Sequence, residues 1–136
     1  MIRVLVVDDH PVLRAGLEAV LRGEPGFRCV GGAEDGDAMW RLLRRTRPDV
    51  VVLDHRLGDE DGLELCRDLR GEPAPPAVLL YTADPSAALR HEALGAGAAG
   101  IVDKAVSVDV LFDAIRVAGR RRGAAAMTTS QDAPAA

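Results

Sequence analysis

Five short runs rich in Val, Leu and Ile punctuate the chain, at residues 2–7, 27–31, 50–53, 77–81 and 99–102. They are apolar almost throughout, without the alternation of a half-exposed sheet, which predicts strands buried on both faces. Apolar residues recur at helical spacing in the intervening stretches 12–21, 38–43, 63–69, 87–94 and 108–117. Strand and helix thus alternate five times. Right-handed crossovers leave few topologies for such a chain, and the favoured one is an α/β fold with a doubly wound, five-stranded parallel sheet, (βα)5. Pro11 and Pro85 suit first helical turns, while Pro73, Pro75 and Pro76 fill a loop before the fourth strand. The folded unit is expected to span 1–122. Beyond it the chain is small, polar and without a core-forming period, so 123–136 reads as a linker or disordered tail.

With 136 residues, 48% of them apolar, the chain can bury one core but not two. A net charge of −4 argues against binding nucleic acid unaided, because neutralising phosphates needs a clustered basic surface. No apolar run is long enough to cross a bilayer and no leader-like N-terminus is evident, so no membrane association and a cytoplasmic location are expected. Cys29 and Cys66 have neither metal-ligand spacing nor the pattern of a disulfide framework and read as small core residues.

Ligands of open parallel sheets bind beyond the carboxyl ends of the strands. Here the first strand ends in Asp8-Asp9, the third in Asp54, the fourth in Thr82 and the fifth in Lys104. If the strands follow the flavodoxin-like order 2-1-3-4-5, these groups share one edge. Three carboxylates in one pocket repel one another unless a cation sits among them, and oxygen ligands point to Mg2+. Asp54 could then act as nucleophile and form an acyl phosphate, with Thr82 and Lys104 stabilising charge on the transferred oxygens. Each residue also has a plainer reading: Asp8 or Asp9 as a helix N-cap, Thr82 as a partner for strand-end main chain, Lys104 as an exposed lysine. Capping leaves a carboxylate at the end of the apolar third strand unexplained. Lys104 is the only lysine beside 16 arginines, which argues for a compact ammonium at that position.

The stretch Val-Leu-Val-Val-Asp8-Asp9-His10-Pro11, the run from Pro48-Asp49 to Asp54, Asp61-Gly62-Leu-Glu, Tyr81-Thr82-Ala83, and Gly95 to Gly100 before Lys104 resemble, in order, the receiver domain of response regulators. The resemblance covers residues 2–122. It implies that Asp54 is the phosphoacceptor for a sensor histidine kinase, that Asp8, Asp9, Asp54 and the main-chain carbonyl of Arg56 bind Mg2+, and that Thr82 and Lys104 contact the phosphoryl group. It also implies a phosphoacceptor without independent substrate turnover. The Asp-Asp-His-Pro opening is similar to the subfamily whose receivers precede a helix-turn-helix domain, so DNA contact is expected only through a further C-terminal domain. Phosphorylation is expected to shift the face of the fourth helix, fifth strand and fifth helix, with homodimerisation as one outcome.

Three departures stand out. Many family members carry Met-Pro where this chain has Leu57-Gly58, from which a more mobile loop is expected. Ile101 stands where an aromatic is common. His55, directly after Asp54, reads as a loop residue, and the Arg120-Arg121-Arg122 cluster as complementing a helix C-terminus rather than DNA. An aspartyl-nucleophile phosphatase is disfavoured because the second acid expected two residues after the nucleophile is Arg56. A nucleotide or flavin module would need a glycine-rich first loop, where this chain has acids. An interaction module that is never phosphorylated, and a stand-alone receiver without DNA output, are the remaining alternatives.

Overall fold

The computed structural model describes residues 1–132. Its main sheet has five parallel strands, β1 (Ile2–Val7), β2 (Phe27–Ala33), β3 (Val50–Asp54), β6 (Ala77–Thr82) and β7 (Gly100–Asp103). They lie in the order β2-β1-β3-β6-β7, which is the expected 2-1-3-4-5 when only strands of this sheet are counted. Two further strands, β4 (Arg56–Leu57) and β5 (Glu60–Asp61), form a small antiparallel hairpin after β3 that the apolar pattern did not predict.

Why the strands read as apolar throughout is visible in the core. One set of strand residues, Leu5, Val7, Val51, Leu53, Val78 and Leu80, packs with Met39, Leu69 and Leu89 from the helices on one face. The alternate set, Val4, Val6, Val50, Val52, Leu79 and Tyr81, packs with Leu17, Leu21, Phe112 and Ile115 on the other. Period-two side chains facing two apolar layers leave the middle of the central strands without a polar position. The covering helices are α2 (Gly36–Thr46), α3 (Gly62–Arg70) and α4 (Ala87–Gly95) on the first face, and α1 (Pro11–Arg22) and α5 (Val108–Asp132) on the second.

Local signals place the helix starts. The side chains of Asp35, Asp61 and Ser86 accept from the amides of Ala38, Leu63 and Leu89, capping α2, α3 and α4. Pro11 opens α1 as expected, but Pro85 precedes the Ser86 cap and lies outside α4. Neither Asp8 nor Asp9 caps α1; its N-cap is His10, which makes no side-chain cap.

The largest difference from expectation is α5. It runs to Asp132 and so continues through most of the segment read as a linker, whose residues 133–136 lie outside the described residues. The Ala-Ala-Ala-Met stretch has high helix propensity even without a core-facing stripe, and Gly123 to Ala125 are exposed. Consequently Arg120-Arg121-Arg122 sits inside a helix and not at its end. Arg122 instead binds the Asp49 carboxylate at 3.1 Å and the Pro75 carbonyl at 3.0 Å. Among the described residues no helix is long and apolar enough to cross a membrane.

Candidate functional site

The carboxyl edge of the sheet gathers the polar residues that end its central strands. Asp8 follows β1, Asp54 ends β3, Thr82 ends β6 and Lys104 follows β7. Among the described residues Asp8, Asp54 and Thr82 are the buried polar ones, exposed by only 1%, 6% and 5%. Their burial follows from the register, because Leu53↔Leu80 and Asp54↔Tyr81 pairing carries β3 and β6 to the same height. Lys104 is fixed there by its main chain, whose N–H donates to the Thr82 carbonyl at 2.8 Å.

Its ammonium bridges two carboxylates, 3.1 Å from Asp8 Oδ2 and 3.3 Å from Asp54 Oδ2. His10 approaches the same cluster from the start of α1. Its Nδ1 lies 2.9 Å from Asp8 Oδ1, 3.2 Å from Asp9 Oδ1 and 3.8 Å from Asp54 Oδ2, and its main-chain N–H donates to Asp8 Oδ1 at 2.8 Å. Asp8, Asp9, His10 and Asp54 each offer one ligand atom within 4.8 Å of the others. Asp54 Oδ1 accepts from the Arg56 amide at 3.3 Å, and Asp9 Oδ2 accepts from the Gly58 amide at 2.8 Å. Thr82 Oγ1 accepts from the Asp84 amide at 3.2 Å, which leaves its own O–H available to donate. Beside the cluster lies a cleft of about 370 Å³, bordered by Asp54, Arg56, Thr82, Ser86 and Lys104.

The neighbouring aspartates are held differently. Burial pushes the Asp54 carboxyl upward, the Asp8 charge adds to it, and the Arg56 amide and Lys104 only partly offset them, so Asp54 titrates above its ordinary value. Burial also raises Asp8, but the hydrogen bonds from His10 and Lys104 outweigh it and hold Asp8 low. For Lys104, burial favours the neutral amine, yet the bond to Asp8 and the charges of both aspartates win and raise it.

Does the cluster fit a divalent cation? Asp9 Oδ1 is buried and has no hydrogen-bond partner among the described residues, even with His10 Nδ1 at 3.2 Å. A buried carboxylate oxygen left without a donor, among two more carboxylates, has the chemistry of a hard-cation ligand. The residues present therefore fit Mg2+.

The candidate site residues Asp8, Asp9, Asp54, Arg56, Thr82 and Lys104 all lie at this one edge. His10 was part of the quoted motif but had no role, and the Gly58 amide was missed. His55 lines the cleft, and its carbonyl accepts from the Gly62 amide at 2.8 Å. Leu57-Gly58, from which a loose loop was expected, instead belongs to the β4–β5 hairpin, with Leu57 in the core. Ile101 is half-buried and packs against the α2–α3–α4 side.

The five-stranded parallel sheet with an acidic cluster at its carboxyl edge defines a receiver-type α/β module. The response regulator receiver domain family matches residues 4–116, and the chain belongs to it. It is 40% identical over 122 residues to the DNA-binding transcriptional activator DevR/DosR of Mycobacterium tuberculosis, covering 90% of this chain and 56% of that protein. It is also 41% identical over 104 residues to protein-glutamate methylesterase/protein-glutamine glutaminase 2 of Anaeromyxobacter dehalogenans, over 76% of this chain and 30% of that protein. Among solved structures, a LuxR-family two-component response regulator from Aurantimonas sp. SI85-9A1 superposes with a TM-score of 0.83 at 34% identity, covering 90% of this chain and 87% of that one. The chain thus spans about half or less of the length of these two relatives.

Proposed function

We propose that this receiver accepts a phosphoryl group on Asp54 from the phosphohistidine of a sensor kinase, with Mg2+ as cofactor. The observation that carries the reading is the bridge from Lys104 Nζ to Asp8 and Asp54 beside the Asp9 oxygen that has no hydrogen-bond partner among the described residues. Asp8, Asp9, Asp54 and the Arg56 main-chain carbonyl would hold the cation, which supplies neutralisation of the phosphoryl oxygens as the donor approaches. An Asp54 carboxylate oxygen attacks phosphorus, the phosphorus–nitrogen bond breaks, and the departing imidazole keeps that electron pair and takes up a proton. The Thr82 hydroxyl donates to one phosphoryl oxygen and the Lys104 ammonium pairs with another. Phosphorylation then converts two hydrogen-bonding partners of the resting site into partners of the new anion, which is the event that biases the face of α4, β7 and α5.

In this reading the domain is a phosphoacceptor that turns over no separate substrate. The output reading rests on the DNA-binding relatives: this domain governs a transcriptional regulator whose DNA contact lies outside residues 1–122, the protein works in the cytoplasm, and phosphorylation drives homodimerisation through the α4–β7–α5 face. Intact-mass spectrometry after incubation with a small phosphodonor and Mg2+ tests the core of it. A single phosphoryl adduct that needs Mg2+ and is absent from Asp54→Ala is expected. If the wild type gains no adduct from either the small donor or a panel of histidine kinases, the phosphorylation-independent interaction module replaces this reading.

A further inference from the structure

One residue that departs from the family pattern touches the acidic cluster through its main chain. Gly58 stands where proline is common, and its N–H donates to Asp9 Oδ2 at 2.8 Å. A proline has no N–H to give. Gly58 is the first loop residue of the hairpin that pairs Leu57 with Glu60, and its φ of +63° is one that glycine adopts without strain.

The hairpin is braced on both sides. The Glu60 carboxylate accepts from the Gly36 amide at 3.0 Å, at the first residue of α2. Asp61 caps α3 through the Leu63 amide at 2.9 Å, and Gly62 N–H donates to the His55 carbonyl. The Gly58 donor is therefore mounted on a supported element. Its acceptor is divided in function: Oδ2 of Asp9 is taken by Gly58, while Oδ1 is buried and has no hydrogen-bond partner among the described residues.

We propose that Gly58 is a positioning residue, whose main-chain N–H fixes Asp9 through Oδ2 and thereby presents Oδ1 to the divalent cation. This rests on the reading of the acidic cluster as a cation site. A carboxylate hanging from the residue before a helix N-cap can rotate, and each rotamer that turns Oδ1 away must be reversed when the ion binds. The hydrogen bond removes that freedom beforehand, as partners behind a metal ligand do, where their loss costs about 10- to 100-fold in affinity.

The test uses the full chain and Mn2+ as the probe, with free Mn2+ followed by electron paramagnetic resonance and Mg2+ measured by competition. Gly58→Pro removes the donor and, because the ring fixes φ at about −65°, the positive φ as well. Gly58→Asn keeps it and tolerates the positive φ. Gly58→Pro is expected to weaken Mn2+ and Mg2+ binding about tenfold, and Gly58→Asn to stay within about twofold of the wild type. Equal affinity in the proline variant, or equal loss in both variants, overturns the positioning role. A second readout does not depend on the proline variant folding: the Gly58 amide should exchange with solvent about tenfold faster in Asp9→Ala than in the wild type, and an unchanged rate overturns the proposal. Failure of the wild type to bind Mn2+ at all would instead remove the cation-site reading beneath it, and the phosphoacceptor function with it.

Discussion

Two aspartates one strand apart, both almost fully buried, respond to the fold in opposite senses. The difference lies in how many donors each has. Asp8 receives the His10 amide, the His10 ring and Lys104; Asp54 receives the Arg56 amide and shares Lys104 while facing the Asp8 charge. Asp54 is raised above 3.8, so its contribution to stability is fully present below that pH and is lost as pH rises through its folded value. Asp8 is lowered, so its contribution is present above 3.8 and is lost as pH falls through its folded value. Without divalent cations near pH 7, Asp54→Asn should therefore raise the melting midpoint and Asp8→Asn lower it, the two shifts differing in sign. Melts in the presence of a chelator check this, and shifts of the same sign would mean that the His10 donors do not distinguish the two. Adding Mg2+ should reduce the Asp54→Asn advantage, since the ion relieves in the wild type the repulsion that the amide removes.

At the scale of elements, what was legible depended on length. Six-residue strands and nine-residue helices leave a period, and a strand's end is marked where the apolar run stops at Asp8, Asp54 or Thr82. The two-residue strands β4 and β5 leave none, so neither the hairpin nor its Gly58 donor could be read. His10 was hidden for a related reason: the direction of its ring is decided by the turn into α1, which no periodicity reports. The hairpin's return into α3 sets a further requirement on one residue. A Cβ at Gly62 would clash with the Asp54 carbonyl oxygen and stand 2.8 Å from that of His55, both main-chain atoms that cannot move aside without shifting the end of β3. Gly62→Ala should cost about 2 kcal/mol or more, a fall of about 8 °C in the midpoint for a domain of this size. Chemical and thermal denaturation measure it, and a loss under about 0.5 kcal/mol would mean that the hairpin yields easily.

For the molecule as a whole, the two-faced sheet makes α5 the element that ties its ends together. Leu111, Phe112, Ile115 and Ala118 are buried against the β1–β3–β6–β7 face, and Arg122 then reaches the Asp49 carboxylate just before β3. That same carboxylate accepts from the Arg3 amide at 2.9 Å, so one ion pair links α5, β1 and the entrance to β3. The end of the apolar stripe was legible in the sequence, whereas the continuation of the helix to Asp132 was not, because helix propensity and core formation are separate causes and only the second leaves a pattern. If the folded unit ends at Arg122, a chain cut after that residue should unfold within about 0.5 kcal/mol of the full chain. Arg122→Ala, in contrast, loses a charge-assisted bond and a carbonyl bond that are partly screened by water, and should cost about 1 kcal/mol. Urea unfolding of the three proteins decides between helix length and helix anchoring. Should the truncated chain lose as much as Arg122→Ala or more, the helix after Arg122 would be contributing to the fold, and the boundary at 122 would have to move outward.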